Sequence, residues 1–489
     1  MTHDQPRPPR SAVTRAVVLG GGLAGLLTVA AVLGHVDEVV VVERHPFPEG
    51  PQPHRGVPQA RHGHVLWSGG ADAMEALLPG VQERWKAGGA HRIGIPTGMV
   101  SYSTQGWYRR WDTATHYLIG ASRALLDHGV RAQLLAAPGR GTTVRFLEGA
   151  EPLRLLGDAR RVDGVLLRRS DGTEEVLGAQ LVVDATGRGS RAPQWLAGLG
   201  IPAVPETVVD AGVTYATRDY RPPAGAEVDF PVVNVQADPR APHPGRVSTI
   251  IPIEGGRWRV CLSATRGAAL DADPDAFETA ARAARSDLVG EFLARAEPVS
   301  EVSVAKNTVN RRRHFERLRR TPDGFVVVGD ALAAFNPVYG HGMSVAALGP
   351  LALRGVLEKS GDVRSPGFTR RAQKAVAGWA DAAWILSAGQ DVFFPGATGR
   401  RPNAVDRLLS RYVDRLVLTA TGDHVVVEAL TDVMTLQKKG QRLVRPTVVW
   451  HALRGPGMRP PAGPVLTSRE RDLLRGVGGP VTDAQPESV

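Results

Sequence analysis

Residues 15–44 read RAVVLGGGLAGLLTVAAVLGHVDEVVVVER, and this stretch decides how the rest of the chain is placed. Val17, Val18 and Leu19 form an apolar run. Gly20-Gly21-Gly22-Leu23-Ala24-Gly25 then matches G-x-G-x-x-G and opens an apolar segment of helical character. A second strand over residues 39–42 ends on Glu43, with Arg44 beside it. The glycines serve three different physical ends. Gly20 makes the tight turn, Gly22 lets a pyrophosphate approach the backbone, and Gly25 lets the helix pack close to the strand. N–H groups at the helix start, from Leu23 and Ala24 onward, then face the phosphates, and Glu43 is placed to accept from ribose hydroxyls. Residues 16–33 are almost wholly apolar, but three consecutive glycines and the charged, β-branched strand that follows exclude a membrane span. The stretch predicts a dinucleotide clamp of Rossmann type, hence an α/β fold.

The chain has 489 residues, with 43% hydrophobic and 22% charged, the balance of a water-soluble globular protein. Its formal charge of +10 comes from scattered arginines without a nucleic-acid module, so an arginine-rich surface is expected, with an anionic carrier as the lesser reading. The single cysteine, Cys261, excludes an internal disulfide and a Cys-rich metal site. Residues 1–14 are polar and proline-rich and are expected to be a disordered tail without signal-peptide character, from which a cytoplasmic location is expected.

Beyond the clamp, residues 56–67 read GVPQARHGHVLW, where Arg61 is expected to face phosphate or a flavin edge. With His54, the histidines His62 and His64 invite a metal reading, but an i, i+2 pair without acidic partners is a poor ligand set, and no metal is expected. Tyr102, Trp107, Tyr108 and Trp111 show strand-like alternation, and are either sheet core or the wall of an apolar pocket. Ser122 is a plausible N-cap, and Arg123 in the first turn opposes the helix dipole, which suggests an anion there. Residues 144–147, 162–167, 174–177 and 181–183 read as strands, the last running into Asp184-Ala185-Thr186-Gly187-Arg188-Gly189-Ser190. Residues 208–264 alternate as an antiparallel sheet, and 276–296 as a helix. Residues 325–330, FVVVGD, form a buried strand whose terminal Asp330 is placed for a ribityl hydroxyl. Phe335, Pro337, Gly340, Gly342 and Met343 follow in a loop whose N–H groups face an electron-rich ring edge.

These segments resemble the FAD-dependent monooxygenases of the para-hydroxybenzoate-hydroxylase type, over roughly residues 17–347, through the glycine clamp with Glu43, Arg123, Gly329-Asp330 and Pro337-x-x-Gly340-x-Gly342-Met343. Residues 56–64, 122–127, 184–190, 310–312 and 335–344 are most similar to the epoxidases of polyether-ionophore biosynthesis, the monensin and lasalocid type. The resemblance implies a GR2-like FAD domain over residues 15–205 and 300–371, with 92–118 contributing to the substrate sheet. It also implies an antiparallel substrate domain over 206–299 and a largely helical C-terminal region over 372–489. It implies FAD as cofactor, O2 and an apolar polyene polyketide as substrates, and epoxidation at several alkenes through a C4a-hydroperoxyflavin, with no catalytic side chain beyond the flavin. Trp67, Tyr102, Trp107 and Phe335 are the candidate substrate contacts.

One departure concerns electron supply. Where the family carries Asp-Gly, this chain has Thr186-Gly187, so NAD(P)H or a separate flavin reductase is the expected source, and an acyl carrier is a further candidate partner. Aromatic hydroxylation and a flavin protein without oxygenase activity are the alternatives. Halogenation is disfavoured because W-x-W-x-I-P is absent.

Overall fold

The structure is a computed structural model that describes residues 13–306 and 308–476, so residues 1–12 of the expected tail lie outside the described residues. The strand Arg15–Leu19 sits at the centre of a five-stranded sheet. The order in space is Phe325–Val327, Leu181–Asp184, Arg15–Leu19, Glu38–Glu43, Thr143–Glu148, with every pairing parallel. The Val/Leu-rich inner strands are buried at nearly every residue, as a parallel sheet covered on both faces requires, whereas the edge strand Thr143–Glu148 is partly exposed. Helices Leu23–Val32, Gly342–Ser360 and Phe368–Asp391 share one hydrophobic core with these strands.

Register turns this sheet into a site. Leu19 pairs with both Val42 and Asp184, and Asp184 pairs with Val327. Gly20, Glu43, Ala185 and Gly329 therefore lie at or just past the same carboxyl edge, the crevice where open α/β sheets take ligands.

A meander of Ala150–Gly157, Val162–Arg169 and Glu174–Gly178 forms a separate three-stranded antiparallel sheet. The second large sheet has eight strands and includes Thr214–Arg221, Arg257–Ala264, Arg246–Ile253, Val232–Val235, Met99–Ser103 and Gly106–Trp107. One of its faces carries Ala216, Tyr220, Trp258, Val260 and Val100, which pack against the helices Pro274–Arg282 and Leu288–Leu293. The stretch expected as one helix over 276–296 is thus two, divided at residues 283–287.

Two expected boundaries are corrected. Of residues 92–118, only 99–107 join the large sheet, while His116–Gly120 pairs with both His91–Ile95 and Val65–Trp67 in a sheet of their own. Glu206–Asp210 belongs with Asn310–Arg313, Ala333–Ala334 and Thr398–Gly399 rather than with the large sheet. The C-terminal region is helical over Ala404–Ala420, His424–Met434, Pro446–Arg454 and Ser468–Arg475. Among the described residues no helix is long and apolar enough to cross a membrane.

Candidate functional site

The glycine turn is built as its spacing requires. Gly20 has φ +101°, and a Cβ there would lie 2.6 Å from the Ala185 carbonyl oxygen. At Gly25 a Cβ would lie 1.9 Å from the Gly20 carbonyl oxygen, so only glycine lets helix and turn meet. At Gly22 a Cβ would find nothing within 4 Å: the N-terminus of Leu23–Val32 opens onto free space, and no side chain caps it. Glu43 is buried at the end of its strand, its carboxylate accepting from the N–H of Gly21 at 2.7 Å and of His45 at 3.0 Å. Arg44 is exposed beside it, its Nε 3.2 Å from His45 Nε2. Leu23 packs into the core, and Ala24 is half-buried.

Gly329-Asp330 meets the clamp from a neighbouring part of the same sheet edge. A Cβ on Gly329, at φ +59°, would lie 2.7 Å from the Ala24 Cβ, so this turn rests on the clamp helix. Asp330 is half-buried; its carboxylate accepts no hydrogen bond among the described residues and has Arg188 Nε at 3.8 Å. Burial raises its pKa, opposed by the positive charges of Arg188, Arg123 and Arg311. Arg188 is itself tethered, donating to the carbonyls of Val309 at 3.0 Å and Phe335 at 2.5 Å, and Arg311 donates to the Arg188 carbonyl. Arg123 is buried and pairs with Asp127 at 2.7 Å, while Ser122 caps its helix by accepting from Leu125 N at 3.1 Å. Three arginines around one carboxylate leave net positive charge beside an open helix N-terminus, which suits an anionic ligand.

The loop after Asp330 is fixed from two sides. Gly340 adopts φ +69°, where a Cβ would lie 3.1 Å from Trp67 Nε1, and that indole donates to the Tyr339 carbonyl at 3.2 Å. From the other side Asp391, buried at the end of Phe368–Asp391, accepts from Asn310 Nδ2 at 2.6 Å, Asn336 Nδ2 at 2.8 Å and the Tyr339 hydroxyl at 2.7 Å. Pro337 opens the short 3-10 turn, Gly342 starts the long helix, and its Cβ position lies 4.0 Å from Asp330 Oδ1. Met343 and Phe335 are buried. His341 contacts the Met434 carbonyl through Nε2 at 3.0 Å, and burial pushes its pKa down to about 4.

Residues 62–64 pack against the second large sheet. His62 Nδ1 lies 3.0 Å from Thr217 Oγ1, and a Cβ on Gly63 would lie 2.1 Å from Cys261 Sγ. The polar face of the large sheet, with Tyr215, Thr217, Asp219, Arg259 and Cys261, therefore points to this segment. Arg259 binds Asp219 through two bonds of 2.7 and 2.8 Å. Burial raises the Tyr215 pKa well above its usual value and pushes the Cys261 thiol up to about 11. His64 Nδ1 meets the His62 carbonyl at 2.8 Å; burial, then Arg123, push its pKa down to about 3.

The expected substrate contacts Trp107, Tyr102 and Trp67 are corrected by these placements. Trp107 stacks on Tyr102 at 4.6 Å, is 7% exposed, and lies in the core under the two short helices, on the face turned away from residues 62–64. Tyr102 shares that face, with Arg285 4.6 Å above its ring. Neither lines a cleft at the glycine clamp. Trp67 is packed with Ile93, Ile95, Met99 and Leu118, and acts on the loop rather than as an open wall. Arg61 is exposed at the end of its turn and makes no hydrogen bond or ion pair among the described residues. The residues missed in the sequence are Arg188, Arg311 and Asp391 with its two asparagines; Asn310-Arg311-Arg312 was legible only as part of a resemblance.

Comparison with known proteins adds to this geometry. Residues 13–353 match the family model described as FAD binding domain. Protein Rv3254 of Mycobacterium tuberculosis is 30% identical over 427 residues, covering 84% of this chain and 87% of its own length. The solved flavin-dependent brominase Bmp2 superposes with a TM-score of 0.61 at 15% identity, covering 90% of this chain and 100% of that one. The p-nitrophenol 4-monooxygenase PnpA of Pseudomonas putida DLL-E4 gives 0.58 at 15% identity, covering 86% and 98%. The Diels-Alderase PyrE3 of pyrroindomycin biosynthesis gives 0.57 at 17% identity, covering 86% and 80%. At such identities the likeness is one of fold.

Proposed function

Since this chain belongs to the FAD binding domain family, we propose that it is a flavin-dependent monooxygenase that epoxidises alkenes of a linear polyene polyketide, at more than one position. The observation that carries the reading is the state of the groups facing residues 62–64. Burial pushes the pKa of His64 down to about 3 and lowers that of His62, whose Nδ1 is engaged by Thr217 Oγ1; burial also holds Tyr215 and Cys261 in their protonated forms, and Asp219 is occupied by Arg259. A phenol hydroxylase benefits from a base that removes the phenolic proton, whereas oxygen transfer to an alkene requires none.

The chain's residues fit FAD. The open position at Gly22, the uncapped helix start and the carboxylate of Asp330 without a hydrogen-bond donor are sites for pyrophosphate and ribityl groups. Glu43 stands where ribose hydroxyls would lie, and Arg123, Arg188 and Arg311 offset phosphate charge. When bound in its reduced form, FAD supplies the two electrons that activate O2, one oxygen atom going to the alkene and the other leaving as water. In the loop from Pro337 to Gly342 the N–H of Val338 is taken by Asn336 Oδ1 and that of Gly340 by the Pro337 carbonyl, so the N–H groups that would meet a ring edge are those of His341 and Gly342 at the helix start, with Trp67 and Asp391 holding the loop. Buried Phe335 and Met343 keep water from that edge.

Electrons come from NAD(P)H or a partner flavin reductase. At the turn in question, Asp184 is fully buried and accepts from Thr186 N, Thr186 Oγ1 and Ser190 Oγ, so its carboxylate is consumed internally. Thr186 itself offers no charge, which favours the separate reductase. Mixing the FAD-loaded protein with NADPH, with and without a flavin reductase, tests this. Flavin bleaching that requires the reductase supports it, and rapid bleaching by NADPH alone contradicts it.

A further inference from the structure

The helical region beyond residue 400 carries an apolar face that the flavin site does not use. Val405, Leu408 and Leu409 recur at i, i+3 and i+4 on Ala404–Ala420 and are exposed, whereas Leu416, on the same stripe, is fully covered by the neighbouring helices. The helix Pro446–Arg454 lies across this one: the Tyr412 hydroxyl donates to the Leu443 carbonyl at 2.7 Å, and Arg415 donates to the carbonyls of Ala452 and Leu453 at 2.6 and 2.8 Å. It adds Trp450, 65% exposed, and Leu453, 71% exposed, with Val444 and Met458 exposed just beyond its ends.

Charge around this face is one-sided. Every acid between residues 400 and 460 is paired: Asp406 with Arg400, Asp414 with Arg240, Asp423 with His451, and Glu428 and Asp432 with Arg442. Arg401, Arg411, Arg445, Arg454 and Arg459 are exposed, and their side chains make no ion pair or hydrogen bond among the described residues.

We propose that this face seats the protein on a bilayer containing anionic lipid. Trp450, Leu453 and Leu408 enter the headgroup–acyl boundary, and the arginines meet lipid phosphates. Tryptophan and long aliphatic side chains flanked by arginine are the composition of helices that lie in a membrane interface. A second copy of the chain is a poor occupant, because a two-fold contact would set these uncompensated arginines against themselves. A protein partner needs a paired polar rim, and here the unpaired charges are cations alone. The inference does not depend on the epoxidase reading, although an apolar polyene would partition into the same surface.

Vesicle co-sedimentation with the full chain tests it. Wild type should pellet with vesicles of phosphatidylcholine plus phosphatidylglycerol at low salt, and far less with phosphatidylcholine alone or at high salt. Trp450→Ser with Leu453→Ser should weaken partitioning by about tenfold or more, and Arg445→Gln with Arg454→Gln should remove the dependence on anionic lipid. All four side chains are exposed, so circular dichroism and bound flavin should be unchanged in both variants. Failure of wild type to pellet with the anionic vesicles at low salt would overturn the proposal, as would equal pelleting by the serine variant. A wild-type dimer in light scattering that the serine variant converts to monomer would also overturn it, in favour of a second copy.

Discussion

A methyl group added at Gly22 meets nothing in the protein, while one added at Gly25 collides with the Gly20 carbonyl. The two glycines of one motif therefore fail differently. Gly22→Val should fold and lose FAD, because its side chain would fill the pyrophosphate position; absorbance of the purified protein near the flavin maximum reads this directly. Gly25→Val should instead destabilise the fold. Asp330→Ala should weaken FAD binding by about 1–3 kcal/mol, the cost of unpairing a buried group, and an unchanged affinity in a flavin titration would show that the carboxylate does not reach the cofactor. His64 carries a signed pH dependence. Its folded pKa, about 3, lies below the ordinary 6.5, so the unfolded chain binds more protons between these values. The stability it contributes is complete above 6.5 and is lost as pH falls toward 3. His64→Gln should therefore lose less thermal stability than wild type across that window, as followed by melting temperature against pH.

At the scale of single elements, legibility tracked sequence distance. The clamp, the Gly329-Asp330 turn and the Ser122 cap are each written within a few residues, where spacing and residue type dictate conformation, and their geometry could be anticipated. Asp391 could not, because it lies 52 residues beyond Tyr339 and looks like any aspartate near a helix end until the fold brings it to Asn310 and Asn336. Trp107 illustrates a second kind of loss. Alternation shows that a strand has two faces but not which of them is covered, and here the helices Pro274–Arg282 and Leu288–Leu293 cover the aromatic one. Trp107→Ala should accordingly destabilise the protein by about 3–5 kcal/mol rather than act on substrate affinity, a distinction that denaturant unfolding makes. Asp391→Ala leaves two amides and a hydroxyl without their acceptor and should cost about 3 kcal/mol or more of stability, with the loss concentrated in hydrogen exchange of residues 335–340.

For the molecule as a whole, the parallel sheet supplies a carboxyl edge, and the antiparallel sheet turns toward residues 62–64 a polar face whose one acid, Asp219, is taken by Arg259. The proposed epoxidation of an extended apolar chain uses this division: the cofactor would carry the chemistry, and the protein would orient the alkene and exclude water. The most direct test is to incubate the FAD-loaded protein with a flavin reductase, NADPH, O2 and a linear polyene polyketide, and to follow product mass. The account predicts successive gains of one oxygen atom each, with no such gain when a phenol replaces the polyene. Coupled oxygenation of the phenol, with the polyene recovered unchanged, would contradict it.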